Sequence, residues 1–297
     1  MNAALYALTV LFWGTSWLPV KLHLGVVPPE VSVVYRFVLA AAVTFGICLA
    51  TRKRMRFSAG DQAFMALQGL FLFSTNYCFI YLGTQYLTSG LVAVVFSMVI
   101  VFNIFGAAIL FRTPIEPRVL VGAACGIGGL ALVFWPEIAA FDLDAEGTRG
   151  LLLALGGTLS ASCGMLTSAW VQRTRALPVL QTNAYGMAYG VLVMTGFCLL
   201  RGSPFIVDPA PLYLGIILYL GLISTVAGFW TYLTLVGRIG AGRAGYATAV
   251  FPLVALAIST LYEGYVWSAG AAAGVALILL GNVAILGKAA PPKSAGQ

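Results

Sequence analysis

Ten apolar stretches, each close to the length of a membrane crossing, fill this 297-residue chain, and its basic residues gather in every second gap between them. A helix needs about 20 apolar residues to traverse the hydrocarbon core. The breaks in hydropathy place spans near 3–22, 30–51, 62–82, 89–111, 118–136, 149–171, 181–200, 211–232, 240–262 and 267–286. A barrel strand would read as about 10 residues of alternating polarity, whereas these runs are longer and continuously apolar. With 61% hydrophobic and 8% charged residues, the chain has too little polar surface to coat a water-soluble domain. The expected fold class is an all-α polytopic membrane protein of ten transmembrane helices.

Twelve of the 16 basic residues lie in the gaps after spans two, four, six, eight and ten, among them Arg52, Arg112, Arg173, Arg238 and Lys288. Seven of the nine acidic residues, including Glu30, Asp144, Asp208 and Glu263, lie in the opposite gaps. Basic loops stay in the cytoplasm, so both termini are expected there, in a multi-pass protein of a bacterial inner membrane. The net charge of +7 then reports insertion and contact with anionic membrane lipid, not nucleic acid. Span one has no basic leader and is read as a retained helix. Cys48, Cys78, Cys125, Cys163 and Cys198 sit inside spans without metal-ligand spacing and read as small buried hydrophobes.

The one long acidic gap, Glu137 to Gly147, divides the chain into two halves of five spans, 1–138 and 148–288, followed by a cytoplasmic tail at 289–297. Weak self-similarity runs in order along both halves. Tyr81 corresponds to Tyr232, Thr88-Ser89-Gly90 to Gly240-Ala241-Gly242, Phe111-Arg112 to Tyr262-Glu263, and Gly122–Gly126 to Gly270–Gly274. Five is odd, so the second half must enter the membrane from the opposite side. Inverted repeats of this kind surround a midplane site in many secondary transporters. The glycines at 122, 126, 270 and 274 form small-residue faces for close helix approach, expected to pack spans within one chain and to favour a monomer over a homodimer.

The run Leu11-Phe-Trp-Gly-Thr-Ser-Trp17, the Tyr35-Arg36-Phe37 triplet, the turn from Tyr81 to Gly90, and Phe251-Pro252-Leu253 followed by Tyr262-Glu263 together resemble the ten-helix EamA-type exporters of the drug/metabolite transporter superfamily, most of all bacterial exporters of aromatic amino acids. The resemblance covers essentially the whole chain, with departures at Val99-Ile100-Val101, where a proline is usual, and at Arg112, where a glutamate is usual. It implies two inverted five-helix bundles packed face to face around a central cavity. Spans one, three, four, six, eight and nine are expected to border that cavity, with five and ten at the periphery.

Ionisable groups inside a membrane are costly enough to be functional candidates by default. No Asp or Glu lies mid-span, which argues against carboxylate-coupled efflux of cations. Lys21, Arg36 and Glu263 cluster towards one end of the bundle as candidate charge or gating groups. Arg36 either neutralises a substrate carboxylate or braces the bundle against backbone carbonyls; Lys21 either joins it or snorkels to the interface. His23 belongs to an outer loop. Aromatic and amide groups make the better candidate site. Trp13 and Trp17, and Tyr77 and Tyr81, repeat at i, i+4 and so share helix faces. Asn76, Ser97, Asn103, Trp230, Tyr246 and Thr248 complete the set of expected substrate-binding residues, because polar groups in a dry interior need partners or a wet cavity.

A single histidine and the missing mid-span acids exclude Ser/His/Asp chemistry and zinc ligation, so no enzyme, metal or cofactor is expected. No phosphate-binding loop motif is present. Aromatic faces and neutral hydrogen-bonding groups suit a solute that is neutral overall and has an apolar body. The expectation is export of neutral amino acids, aromatic or bulky, by alternating access. Another neutral metabolite, such as a purine or an osmolyte, and a channel are the alternatives.

Overall fold

The computed structural model describes residues 1–22, 25–87, 89–112, 114–142, 144–262 and 267–286, with the backbone alone at 17, 21, 89, 90, 93, 137 and 259. His23, Glu263 and the tail at 289–297 lie outside the described residues. Among those described, every regular element is a helix, as the hydropathy requires. Eight helices are long and apolar enough to cross a membrane: span one (Asn2–Val20), two (Pro29–Ala50), three (Ala59–Gly83), four (Val94–Phe111), six (Ala145–Arg175), seven (Val179–Arg201), eight (Pro211–Ile239) and nine (Ala241–Tyr262). Spans five (Pro117–Val133) and ten (Ala269–Ile285) are shorter apolar helices, roughly 25 Å long at 1.5 Å per residue. Span five stops before the expected 136 because Phe134 leaves helical geometry and Pro136 opens a separate short helix, Trp135–Ala139.

Lipid gives helices no hydrophobic reason to associate, so close packing of small residues must hold them together. Span one packs on spans eight and nine, and span six on three and four. Span two packs on seven and eight, and span seven on two and three. Span four meets the start of nine, and five pairs with ten. Exchanging spans one to five for six to ten maps each of these pairings onto another of them or onto itself. Span six shows how the sequence permits it. Gly150, Gly157 and Gly164, seven residues apart on one face, receive span three and the turn after it. A Cβ at Gly157 would stand 2.9 Å from Ile80, and one at Gly164 2.6 Å from Leu72. The same two spans are tied at their ends by Arg175, which donates to Asp61 at 2.8 Å. Asp61 in turn completes a capping box with Ser58.

The pair of short spans is joined through glycine. A Cβ at Gly129 would lie 2.6 Å from the Gly274 carbonyl oxygen, and Gly274 abuts Gly129 just as closely; Gly122 and Gly281 meet in the same seam. The expected four-glycine face is corrected in detail. Gly126 receives the ring of Tyr246, and the nearest atom to a Cβ at Gly270 is the Leu132 oxygen at 3.6 Å, an ordinary contact. The close approach recurs at a different helical phase from the one read in sequence, and it lies between spans of one chain. Gly129→Val is expected to destabilise the protein by about 1–3 kcal/mol through overpacking, whereas Gly270→Ala should be neutral; thermal unfolding in detergent micelles distinguishes the two.

Candidate functional site

Spans three and eight both depart from α-helical geometry at corresponding depths. A π-helical segment runs over Phe71–Thr75 in span three and Leu220–Ala227 in span eight. A widened turn displaces backbone partners, and in a dry interior hydroxyls close to the chain can engage the carbonyls so displaced. Each segment carries a Ser-Thr doublet that does so. Ser74 donates to the Gly69 and Leu70 oxygens at 3.0 and 2.8 Å, and Thr225 donates to the Leu220 oxygen at 2.8 Å.

The second doublet also receives a charge. Arg36 donates through Nε to Thr225 Oγ1 at 2.6 Å and through Nη2 to Ser224 Oγ at 3.0 Å. The residue is 8% exposed, and among the described residues no carboxylate lies within ion-pair distance of it. A buried guanidinium held by neutral hydroxyls keeps most of its five donors and its whole charge available. The rings of Phe37 and Tyr77 stand 5.8 and 5.9 Å from its Cζ.

Arg36 borders a cavity of 270 Å³ together with Trp13, Ser16, Asn76, Tyr77, Tyr81, Phe96, Met165, Ser224, Phe229, Thr248 and Phe251. Six of its 18 lining residues are aromatic, and ring contacts link several of them through Phe73 and Phe37 behind the wall. Trp13 packs on Phe229 at 5.3 Å, Phe229 on Phe73 at 5.0 Å, Phe73 on Phe37 at 5.7 Å, and Phe37 on Tyr77 at 5.0 Å. The Trp13 indole N–H donates to the Ser224 carbonyl at 3.1 Å, which fixes the ring and braces the π-segment. Spans one, three, four, six, eight and nine all contribute, and span two joins them through Arg36.

Of the expected binding residues, Trp13, Asn76, Tyr77, Tyr81 and Thr248 line this cavity, as does Arg36 among the charged candidates. The side chains of Trp17 and Lys21, like Glu263, are outside the described set. Four expected positions lie elsewhere. Trp230 is 44% exposed on the outside of the bundle, because Phe229 and Tyr232 face inwards and successive helical residues point about 100° apart. Tyr246 is fully buried against spans five and ten, donating to the Ile278 oxygen at 2.8 Å. Ser97 turns back on its own helix, donating to the Val94 oxygen at 2.5 Å. Asn103 lies beneath the cavity, accepting from Ser162 at 2.7 Å and donating to the Met165 sulfur at 3.4 Å. Ser224, Thr225, Met165 and Phe229 were not legible as site residues. The recurrence of Ser-Thr in spans three and eight was the available signal for two of them.

Met165 forms part of the cavity floor, and Tyr232, fully buried, donates to its sulfur at 3.1 Å. One helical turn further along each span, about 6 Å, Ala169 and Val236 line a second cavity of 760 Å³ that ends at the basic face of the bundle. Asn103, Ser162, Met165 and Tyr232 form one bonded polar layer, with Met165 lining the smaller cavity and Ile104, Ala169 and Val236, next along the same spans, lining the larger. At the mouth of the larger cavity Glu116 accepts from Arg118 at 2.7 Å and pairs with Arg243. Desolvation works to raise the Glu116 pKa, but the hydrogen bond from Arg118 and the charge of Arg243 outweigh it and hold the carboxyl below its ordinary range.

The sequence model described as the EamA-like transporter family matches residues 1–135 and 148–287. Protein PagO of Salmonella typhimurium is 22% identical over 262 residues, covering 88% of this chain and 84% of the relative. A probable amino-acid metabolite efflux pump of the same organism is 21% identical over 283 residues, covering 92% and 91%. One solved crystal structure, 18% identical, superposes with a TM-score of 0.77 over 96% of both chains, which bears on the fold alone.

Because the folded-state pKa of Glu116 is depressed, its stabilising contribution is present above the ordinary glutamate pKa and lost only as pH falls through the lowered one. Glu116→Gln is expected to flatten the dependence of thermal stability on pH in that acidic window and leave it unchanged near neutrality, as followed by melting in detergent across a pH series.

Proposed function

This chain belongs to the EamA-like transporter family, and from that premise we propose that it exports neutral amino acids, aromatic or bulky, by alternating access across a bacterial inner membrane. The observation that carries the substrate class is the Arg36 guanidinium, buried at the cavity wall with only hydroxyl partners and flanked by aromatic rings. A carboxylate entering the cavity completes the charge compensation that the described residues leave open, and a bidentate fork suits its geometry. The apolar body of the solute packs along the Trp13–Phe229 wall, and an α-ammonium group finds π-faces at Tyr77 and Trp13. Arg36 thus takes the first of its two sequence readings, and a purine or an uncharged osmolyte would leave the guanidinium unmatched.

Alternating access is supported by two cavities flanking one polar layer and by helix pairings that repeat when the halves are exchanged. The halves 1–138 and 148–288 act as inverted repeats in this reading. The alternating loop charge supports cytoplasmic termini. With no carboxylate mid-span among the described residues, export runs down the solute's own gradient. The similarity to a probable amino-acid metabolite efflux pump points the same way.

The test is counterflow of labelled phenylalanine, tryptophan, methionine and threonine in proteoliposomes. Exchange of the aromatic substrates above empty vesicles is expected, and its absence for all four would sink the proposal. Arg36→Gln should weaken apparent affinity by about 2 kcal/mol or more. Arg36→Lys should restore little, since a lysine cannot reproduce the fork. Trp230→Ala, on the outer surface, should leave exchange intact.

A further inference from the structure

The 760 Å³ cavity at the basic face pairs the same two features as the Arg36 site, an apolar wall and guanidinium groups. Ile104, Ala107 and Val236 form the wall nearest the polar layer, while Arg173, Arg238 and Arg243 line the cavity towards the helix ends. The lining contains three arginines and one carboxylate, Glu116, which Arg118 and Arg243 already occupy. Arg173 lies over the ring of Phe111 at 5.0 Å, and no ion pair engages it among the described residues. Arg173 and Arg238 are exposed towards the mouth, and a net positive lining on a concave surface draws anions there. Gln172 helps to keep the space shaped, since its amide spans from Ser168 to the Leu233 oxygen at 3.1 and 3.0 Å and packs where a Cβ on Gly237 would stand.

We propose that this cavity is a second solute site, which takes the carboxylate of an amphipathic acid at Arg173 and Arg238 and its apolar body on the Ile104–Val236 wall. The proposal rests on the export reading, for which it supplies a loading site on the basic side of the polar layer. A solute there lies one helical turn from the layer beneath the Arg36 cavity. The occupant is a soluble acid of the class that fits Arg36, because the same pairing of guanidinium and apolar wall recurs on both sides of that layer.

The test uses the full chain with its five cysteines replaced by alanine and Ala108→Cys introduced, since Ala108 lines this cavity. The protein is reconstituted in vesicles of zwitterionic lipid alone and in vesicles that also hold anionic lipid. Anionic methanethiosulfonate should label Cys at 108 about tenfold faster than the cationic reagent, after normalisation to a free thiol. Phenylalanine should slow labelling in both kinds of vesicle, and phenethylamine, which lacks the carboxylate, should not. Arg173→Gln with Arg238→Gln should abolish both effects, while the paired lysine variants retain the charge preference. Absence of labelling, equal rates for the two reagents, or no slowing by phenylalanine would each overturn the site. Slowing by anionic lipid with none by phenylalanine would assign the cavity to a lipid headgroup and overturn it as well. Counterflow in the same vesicles separates the readings: exchange without protection removes this site alone, and no exchange removes the export reading together with it.

Discussion

Hydrocarbon offers no hydrogen bonds, and every feature of this protein answers to that constraint. It makes each crossing a helix. It also explains why the two departures from α-geometry carry hydroxyls beside them. At Leu220–Ala227 the widened turn brings Thr225 onto the Leu220 oxygen, and the same hydroxyl then accepts from Arg36. The π-segment thus does two jobs through one side chain. It keeps the backbone bonded within the bundle, and it presents a pair of hydroxyls that hold a cation where, among the described residues, no carboxylate does.

From that cation the site follows. Trp13 is fixed by the Ser224 carbonyl, the residue whose hydroxyl also binds Arg36, so the aromatic wall and the charge are positioned by one short stretch of span eight. Below them, the polar layer lies towards the basic face. Asn103 and Tyr232 both bond to the soft, adaptable sulfur of Met165, and Ser162 bonds to Asn103. The bonds that the thioether forms to Asn103 and Tyr232 are weak ones.

Small residues supply the remaining stability. Span six seats span three on glycines at seven-residue intervals, and spans five and ten meet through Gly129 and Gly274. Where backbones come this close, the helices cannot slide along each other without collision. The pairing pattern is unchanged when the halves are exchanged.

Helix number, the polarity of the two faces, the absence of mid-span acids and the candidacy of Trp13, Asn76, Tyr77 and Tyr81, which the structure brings to one cavity, were legible in the sequence, because hydropathy, charge and i, i+4 spacing are local properties of a helix. The rest was decided by tertiary structure. Trp230 and Phe229 are neighbours of similar character, and only the rotation of span eight puts one on the outside of the bundle and the other in the cavity. Tyr246 looks like a site residue until its hydroxyl is seen to bond the Ile278 oxygen on span ten. Arg36 had two readings in sequence, and the hydroxyls that it meets, on Ser224 and Thr225, lie nearly 190 residues away along the chain. Periodicity says which residues share a face of one helix; which face meets a cavity, a neighbour or the membrane depends on how ten helices pack.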